Sequence, residues 1–398
     1  MAPADPPARP VLPPDPLSGP PPDDAPAEAP APPASVGEGE EAPPAAAPGP
    51  DLPEASGAAP PVGPPPDPPE AGPPATPARV DGPTSAAALW GWVRVLMGAV
   101  AFALALRVFV FEAYRIPSTS MEDTLLVGDF VLVSKLHYGP RVRGRRLPGV
   151  GAPERGDVVV FNYPPDLDPE IALRTPYIKR VQGLPGDTLT ILEKDVFVGA
   201  EAVPEPGRGR RLWELRGRLP ASDVLDSLGV YGLVQRVGAG VWAASMTRAQ
   251  AEGLRAVGSL DRVEPYVRAA GDGSATFPAG RRYSLDDYGP VVVPRAGATV
   301  RLDDASWDLL RTTLERFEGH TTERTADGFL IDGRPAEAVT FRQDYYFVLG
   351  DSRDDSADSR AWGFVPFDHV VGKAVAVYFS WDDEAGQPRW ERVGQGVR

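Results

Sequence analysis

The sequence predicts a mainly β-fold: a membrane-tethered antiparallel β-domain with a mixed α/β insertion, preceded by one transmembrane helix and a disordered tail. Three observations carry this prediction. Proline, alanine and acidic residues fill 1–84, an apolar run covers 89–111, and short β-rich runs begin at Val127. Runs of this kind, separated by Gly-Asp and Pro-Gly-Asp turn signals, are typical of antiparallel sheets.

The tail, residues 1–84, holds most of the 49 prolines of the chain and almost no aromatic residue. Such a segment cannot bury enough apolar surface to offset the entropy of ordering it, so we predict disorder with local polyproline II character. Most of the formal charge of −15 also lies in this tail. The remainder has no basic stripe, which argues against a nucleic-acid partner.

The composition also limits the kinds of active site and metal site that the chain can form. Cysteine is absent, which excludes disulfides, thiolate zinc sites and cysteine nucleophiles. The three histidines are scattered and lack the spacing of metal ligands: His137, His320 and His369. We therefore predict no metal and no other cofactor.

The apolar run 89–111 would extend about 35 Å as a helix, which is enough to cross a hydrocarbon core of roughly 30 Å. Side chains that can reach the headgroup region lie near its ends: Trp90, Trp92, Arg94 and Arg107. A buried core helix is the alternative, because the uncharged stretch 95–106 is short enough for one. We predict a transmembrane helix over 85–112. Arginines flank both ends, so charge alone does not set the orientation.

The rest of the chain divides by its pattern. The β-domain is predicted over 113–203 and 335–383, with an insertion subdomain at 204–334 and a C-terminal tail at 384–398. Predicted strands cover 129–136, 157–163, 177–184 and 345–351. Within the insertion, a capping box at Thr247 and Gln250 predicts a helix over 247–257. A second helix, 306–317, has one apolar face that we assign to core packing: Trp307, Leu310, Leu314 and Phe317.

Three polar islands stand out: 115–135, which contains Ser118 and Ser120; 174–187, which contains Lys179; and 350–366. Taken singly, they have ordinary explanations as a serine-rich turn, a solvated lysine and a charged surface loop. Taken together, in this order after an apolar anchor, they closely resemble the bacterial type I signal peptidases. The strongest pieces are PSTSM, YIKRVQGLPGD and GDSRDDSADSRAWGFVP.

The resemblance covers about 115–187 and 339–377 besides the anchor, and it implies roles for particular residues. Ser120 matches the nucleophile, Lys179 the general base, and Ser118 a donor to the oxyanion beside the Ser120 N–H. The last island matches the groups that support this pair: Ser356, which orients the lysine, with the ion pair of Asp358 and Arg360. The residues that match the lining of the substrate groove are Ile116, Pro117, Met121, Leu125, Tyr177 and Ile178.

The sequence departs from the family pattern at four positions. Thr119 stands where glycine is common, Asp123 where proline is common, and Ser352 and Asp355 where asparagines are often found. None of these positions carries a proposed catalytic atom.

The resemblance also implies partners and location. The expected substrates are secretory preproteins cut after a small-residue A-x-A pattern. The expected location is the bacterial cytoplasmic (inner) membrane, crossed once, with the tail in the cytoplasm and the β-domain on the periplasmic side. The lipid bilayer is therefore a partner, and the protein partners of the proline-rich tail are not identified by the sequence.

A serine hydroxyl becomes a good nucleophile only when a base takes its proton, and lysine can do so only as the neutral amine. Burial lowers the pKa of a lysine from its usual value of about 10.4, and the apolar neighbours of Lys179 are compatible with burial. Two rival hypotheses remain at this point. One is a self-cleaving Ser/Lys protein of the repressor kind; such proteins are soluble and carry a DNA-binding module, so the apolar anchor and the acidic tail argue against it. The other is a membrane-tethered, non-catalytic interaction protein that uses PARP (7–10) and PPDP (13–16) as a cytoplasmic arm.

Overall fold

The computed structural model describes residues 86–142, 144–206, 209–230, 234–269, 271–272 and 274–398. The predicted tail, 1–84, lies outside the described residues. In the part of the chain that is described, the helices are α1 (Ala86–Phe109), α2 (Ser222–Ser227), α3 (Arg248–Val257), α4 (Asp304–Phe317) and α5 (Ser359–Trp362).

The strands follow in chain order. They are β1 (Phe111–Arg115), β2 (Asp129–Ser134), β3 (Arg141–Val142), β4 (Arg145–Arg146), β5 (Val158–Asn162), β6 (Pro176–Gly183), β7 (Thr188–Leu192), β8 (Asp195–Val198), β9 (Glu201–Ala202), β10 (Arg210–Gly217), β11 (Val234–Gly238), β12 (Val241–Thr247), β13 (Leu260–Pro265), β14 (Tyr288–Val292), β15 (Thr299–Arg301), β16 (Thr322–Thr325), β17 (Gly328–Ile331), β18 (Arg334–Pro335), β19 (Ala338–Thr340), β20 (Tyr345–Leu349), β21 (Val365–Pro366), β22 (Val370–Asp382) and β23 (Gln387–Pro388).

Helix α1 has the length and composition of a membrane span: Leu89–Phe109 has a mean hydropathy of 1.8. It ends earlier than the predicted segment 85–112. Its last turn closes with the Val110 N–H on the Leu106 carbonyl, and Phe111 already begins a strand opposite Ser134. Pairing with β2 therefore decides where the helix stops, which the apolar run could not reveal.

The main sheet has the order β1-β2-β22-β5-β6-β20-β21, and its neighbours pair antiparallel. The four predicted strands are confirmed as β2, β5, β6 and β20, each with ends within two residues of the predicted ones. Every residue of β5 and β20 is buried. Because both faces of these strands are covered, their sequences are nearly continuous apolar runs rather than alternating ones. The prediction of a mainly β, antiparallel fold is confirmed.

The predicted insertion, 204–334, contains a four-stranded sheet of its own, in the order β11-β12-β10-β13. Its apolar core is built around Trp213, Met246 and Leu254. Other strands of the same segment pair outside it, because β14 joins β7 and β15 joins β19. The segment therefore holds both a separate layer and strands that complete the sheets on either side.

The two predicted helices of the insertion are confirmed. Helix α3 follows the predicted capping box, in which Gln250 N donates to Thr247 Oγ1 at 3.2 Å and Thr247 N donates to Gln250 Oε1 at 2.9 Å. The apolar face of α4 packs in the core as predicted, with Trp307, Leu310 and Leu314 buried and Phe317 partly buried.

Candidate active site

Ser120 and Lys179 come together although 59 residues separate them. Ser120 lies in the turn that follows β1, and Lys179 lies on the inner strand β6. Lys179 Nζ is 2.7 Å from Ser120 Oγ and donates a second hydrogen bond to the Ile178 carbonyl at 2.9 Å. Lys179 is only 3% exposed and Ser120 only 7%. The geometry is that of a buried amine in hydrogen-bond contact with a buried serine hydroxyl.

The environment of Lys179 favours the neutral amine. Burial lowers the pKa of Lys179 from 10.5 to about 8, against the opposing charges of Asp358, Asp351 and Asp355. Desolvation therefore outweighs three nearby carboxylates, because the ammonium loses more in hydration than those carboxylates return. A useful fraction of neutral lysine is available in mildly alkaline solution.

The segment 350–360 packs directly against the backbone of Ser120. The Ser352 N–H donates to the Ser120 carbonyl at 3.1 Å. A Cβ atom at Gly350 would lie 2.6 Å from the same carbonyl oxygen, so only glycine fits this close approach. These contacts fix the position of the turn that carries Ser120.

Ser118 is next to Ser120 as predicted. The two Oγ atoms are 3.3 Å apart, and Ser118 is exposed. Among the described residues, no backbone carbonyl accepts a hydrogen bond from the Ser120 N–H. The Ser118 hydroxyl therefore lies beside the Ser120 hydroxyl, and the Ser120 N–H is not used in a backbone hydrogen bond among the described residues.

The predicted ion pair of Asp358 and Arg360 is formed and buried. Arg360 Nε lies 2.8 Å from Asp358 Oδ1, and Arg360 Nη2 lies 2.8 Å from Asp358 Oδ2. Burial acts to raise the pKa of Asp358, but the adjacent Arg360 guanidinium holds it below its usual value. Asp358 also accepts the Gly350 N–H at 3.1 Å, so the ion pair supports the strand end behind Ser120.

Ser356 does not contact the lysine in the way that its predicted role requires. Its Oγ is buried, and among the described residues it has no hydrogen-bond partner of good geometry. It is nonetheless close enough to Asp358 to help lower the pKa of that carboxyl. The orienting role of Ser356 stays a prediction.

A second buried ion pair was not identified from the sequence. Arg180 Nε and Nη2 lie 2.7 Å and 2.6 Å from the two oxygens of Asp351. Asp351 Oδ2 also accepts a hydrogen bond from Thr124 Oγ1 at 2.7 Å. The ion pair and this hydrogen bond together connect β6, which carries Lys179, to the turn that carries Ser120. Two adjacent charged residues in a predicted strand, Lys179 and Arg180, were the available signal for it.

The predicted groove residues differ in their exposure. Pro117 is exposed, and Tyr177 and Ile178 are partly buried beside the lysine, with Tyr177 stacked on Tyr163 at 4.2 Å between ring centroids. The other three are buried in one apolar cluster and are at most 2% exposed: Ile116, Met121 and Leu125. A direct contact of these three with substrate would require the site to open. As described, they form the layer beneath it.

Among the described residues, no group of three or more His, Asp or Glu side chains is arranged to hold a metal ion. What the arrangement offers is a buried amine on a serine hydroxyl, with a second hydroxyl, that of Ser118, beside it. This is sufficient for nucleophilic acyl transfer.

Comparison with known proteins agrees with this chemistry. A sequence model described as signal peptidase, peptidase S26, matches residues 89–217 and 296–381. Signal peptidase I of Pseudomonas aeruginosa is 33% identical over 307 residues, which cover 73% of each chain. Signal peptidase I of Pseudomonas fluorescens is 32% identical over the same length and share. That of Aquifex aeolicus is 28% identical over 285 residues, covering 70% of this chain and 79% of the relative.

Both the family match and the first of these relatives cover most of the folded part of the chain. The one apolar helix fits a membrane anchor. The chain therefore belongs to the signal peptidase family, peptidase S26, and is a membrane-anchored serine endopeptidase of the kind that removes signal peptides.

Proposed function

We propose that Ser120 is the nucleophile of signal-peptide cleavage and that Lys179 is its general base. The contact of 2.7 Å between Lys179 Nζ and Ser120 Oγ, made by a buried amine, is the observation that carries this proposal. Neutral Lys179 takes the proton as Ser120 Oγ attacks the scissile carbonyl, and returns it to the leaving amine. Water then attacks the acyl carbonyl while the same amine takes its proton, and the amine passes that proton to Ser120 Oγ as the acyl–oxygen bond breaks.

The oxyanion of the tetrahedral intermediate is held by the Ser118 hydroxyl and the Ser120 N–H. The distance of 3.3 Å between Ser118 Oγ and Ser120 Oγ supports the role of Ser118. Loss of one such donor costs about 3 kcal/mol, or about 100-fold or more in kcat. Ser118→Ala should therefore lower kcat by about this factor with little change in KM, and a loss of less than about fivefold would remove Ser118 from the oxyanion site.

The substrates are secretory preproteins, and we propose that they are cut after a small-residue A-x-A pattern. Pro117, Tyr177 and Ile178 line the groove that receives this segment. Ile116, Met121 and Leu125 shape that groove from below. The exposed or partly buried state of the first three beside the dyad supports this division.

We further propose that α1 crosses the bacterial cytoplasmic membrane once, with residues 1–84 in the cytoplasm and the β-domain on the periplasmic side. The short connection from Phe109 to Ser120 supports it, because a signal peptide that spans the same bilayer would present its cleavage site near that membrane surface. Protease protection of each end of the chain in sealed vesicles tests this orientation.

The deciding experiment is cleavage of a preprotein with an A-x-A site, by the full chain in detergent or liposomes. Wild type should release the mature protein, whereas Ser120→Ala and Lys179→Met should be folded and inert. Lys373→Met is the matched control, because this lysine forms its ion pair with Asp157 and not with a residue of the dyad, and it should retain activity.

Two results would overturn the proposal. An active Lys179→Met would remove the lysine as base. An inactive wild type would favour a tethered, non-catalytic interaction protein instead. Replacing the alanines of the A-x-A site in the preprotein with larger residues tests the substrate class separately.

A further inference from the structure

Arg210, the first residue of β10, lies next to the segment that holds Ser120. Its N–H donates to the Asp351 carbonyl at 2.9 Å, and its carbonyl accepts the Arg353 N–H at 2.9 Å. It thereby forms an isolated parallel bridge with Ser352. Ser352 is the residue whose N–H donates to the Ser120 carbonyl. The Arg210 backbone therefore holds the residue that contacts Ser120.

The side chain of Arg210 reaches the same turn by a second route. Arg210 Nε lies 2.5 Å from Asp123 Oδ2, and Arg210 Nη1 lies 3.8 Å from Glu122 Oε2. The arginine side chain is only 7% exposed, so this interaction is better shielded from water than a surface ion pair. Its partners follow Ser120 within three residues.

Asp123 has a left-handed backbone, with a φ of 71°, which Asp and Asn adopt more readily than other residues besides glycine. The ion pair with Arg210 holds this residue in place from outside the turn. The sequence has Asp123 where the family commonly has proline, a residue whose φ is fixed near −65° by its ring. Proline could not adopt the φ of 71° found here, so this conformation is one that only a residue without such a ring can have.

We propose that the Arg210 side chain positions Ser120 through Asp123, from a backbone that is itself bonded on either side of Ser352. The inference rests on the proposed role of Ser120 and deepens it. Arg210 touches no reacting atom. Its loss should let the turn relax, and a displacement of about 1 Å at the reacting atoms can cost about 100-fold in rate.

The test is the steady-state cleavage of a signal-peptide substrate by the full chain in detergent. Arg210→Ala should lower kcat by about 10- to 100-fold while KM changes by less than about threefold. Arg210→Lys keeps a cationic donor for Asp123 and should restore kcat to within about fivefold of wild type. The pH profile of the Arg210 variants should keep the wild-type midpoint, because Arg210 does not contact Lys179.

A double-mutant cycle identifies the partner. Asp123→Asn removes the charge but tolerates the left-handed backbone, so it should lower kcat as well. In the Arg210→Ala background, Asp123→Asn should lower kcat by no more than about a further twofold, because the contact between the two residues is already gone. The matched control is Arg211→Ala. This arginine is also buried and ion-paired, with Asp195 and Glu205, and its loss should lower Tm but leave kcat unchanged.

The outcomes distinguish failure of the role of Arg210 from failure of the proposed role of Ser120. If Ser120→Ala cleaves as well as wild type, the role of Ser120 fails and the positioning role fails with it. If Ser120→Ala is inert but Arg210→Ala retains kcat within twofold, only the role of Arg210 is overturned. Additive effects of Arg210→Ala and Asp123→Asn would also overturn it. If Arg210→Ala does not fold, Arg210→Lys and Asp123→Asn decide.

Discussion

Arg180 and Asp351 form a two-point ion pair, with Nε 2.7 Å from Oδ1 and Nη2 2.6 Å from Oδ2. Their side chains are 5% and 1% exposed. Arg180 follows Lys179 on β6, and Asp351 begins the loop that packs on Ser120. The register of the lysine strand against the serine turn is therefore set by a buried, directional contact. Such a pair stabilises only while both partners are present.

We predict that Asp351→Asn lowers the free energy of unfolding by about 3–5 kcal/mol, because it leaves the Arg180 guanidinium buried without a counter-charge. The cleavage rate should fall as well, since Lys179 lies next to Arg180. Thermal melts and cleavage assays in the same detergent measure both. Asp383→Asn is the control: its pair with Arg115 is about half exposed and should be worth less than about 1 kcal/mol. Equal effects of the two substitutions would contradict the prediction.

The pH dependence of cleavage should follow the state of Lys179. The ammonium cannot accept a proton, so only the neutral amine is active, and the pKa of about 8 sets its fraction. The rate should fall about tenfold per pH unit below that pKa and level off above it. A single-turnover pH profile from 6 to 10 measures this. A profile that is flat over this range, with chemistry rate-limiting, would exclude Lys179 as the base.

The same pKa predicts how stability changes with pH. The pKa of Lys179 is lower in the folded chain, at about 8, than in the unfolded chain, at about 10.4. Between these values the unfolded state binds more protons, so this site makes the folded state more stable as pH rises, by up to about 3 kcal/mol. Wild type should therefore gain stability relative to Lys179→Met between pH 7 and 10.5. A constant difference between the two would mean that the pKa is not lowered.

Local patterns predicted the elements that local interactions determine. The capping box at Thr247 and Gln250 fixed the start of α3, and the spacing of Trp307, Leu310 and Leu314 fixed the buried face of α4. The end of α1 was predicted two to three residues too late, because pairing of Phe111 with β2 is a tertiary effect.

The proximity of Ser120 and Lys179 could be predicted for a different reason. The three polar islands carried it through resemblance, which identifies motif positions but not their exposure. Ile116, Met121 and Leu125 proved to be buried, since the turn around Ser120 folds back on the core beneath it. The partners of Arg180 could not be found from the sequence, because 171 residues separate it from Asp351 and no local rule joins them.

Gly350 offers the most direct test of how closely the last island packs on Ser120. A Cβ atom at this position would lie 2.2 Å from Ser356 Oγ and 2.6 Å from the Ser120 carbonyl oxygen. The carbonyl belongs to the backbone and cannot rotate away, so the turn itself must move. Gly350→Ala should therefore cost about 1–3 kcal/mol in stability, and about 100-fold in kcat if Ser120 Oγ shifts by about 1 Å from Lys179 Nζ.

Gly151→Ala is the matched control, because a Cβ atom there meets nothing within 4 Å. It should leave both kcat and Tm unchanged. Cleavage assays and thermal melts of the two alanine variants, run side by side, separate close packing at Ser120 from a general effect of replacing a loop glycine. If Gly350→Ala keeps wild-type kcat, the loop can move away from Ser120 without disturbing it, and the contact between Ser352 and Ser120 is not what positions the nucleophile.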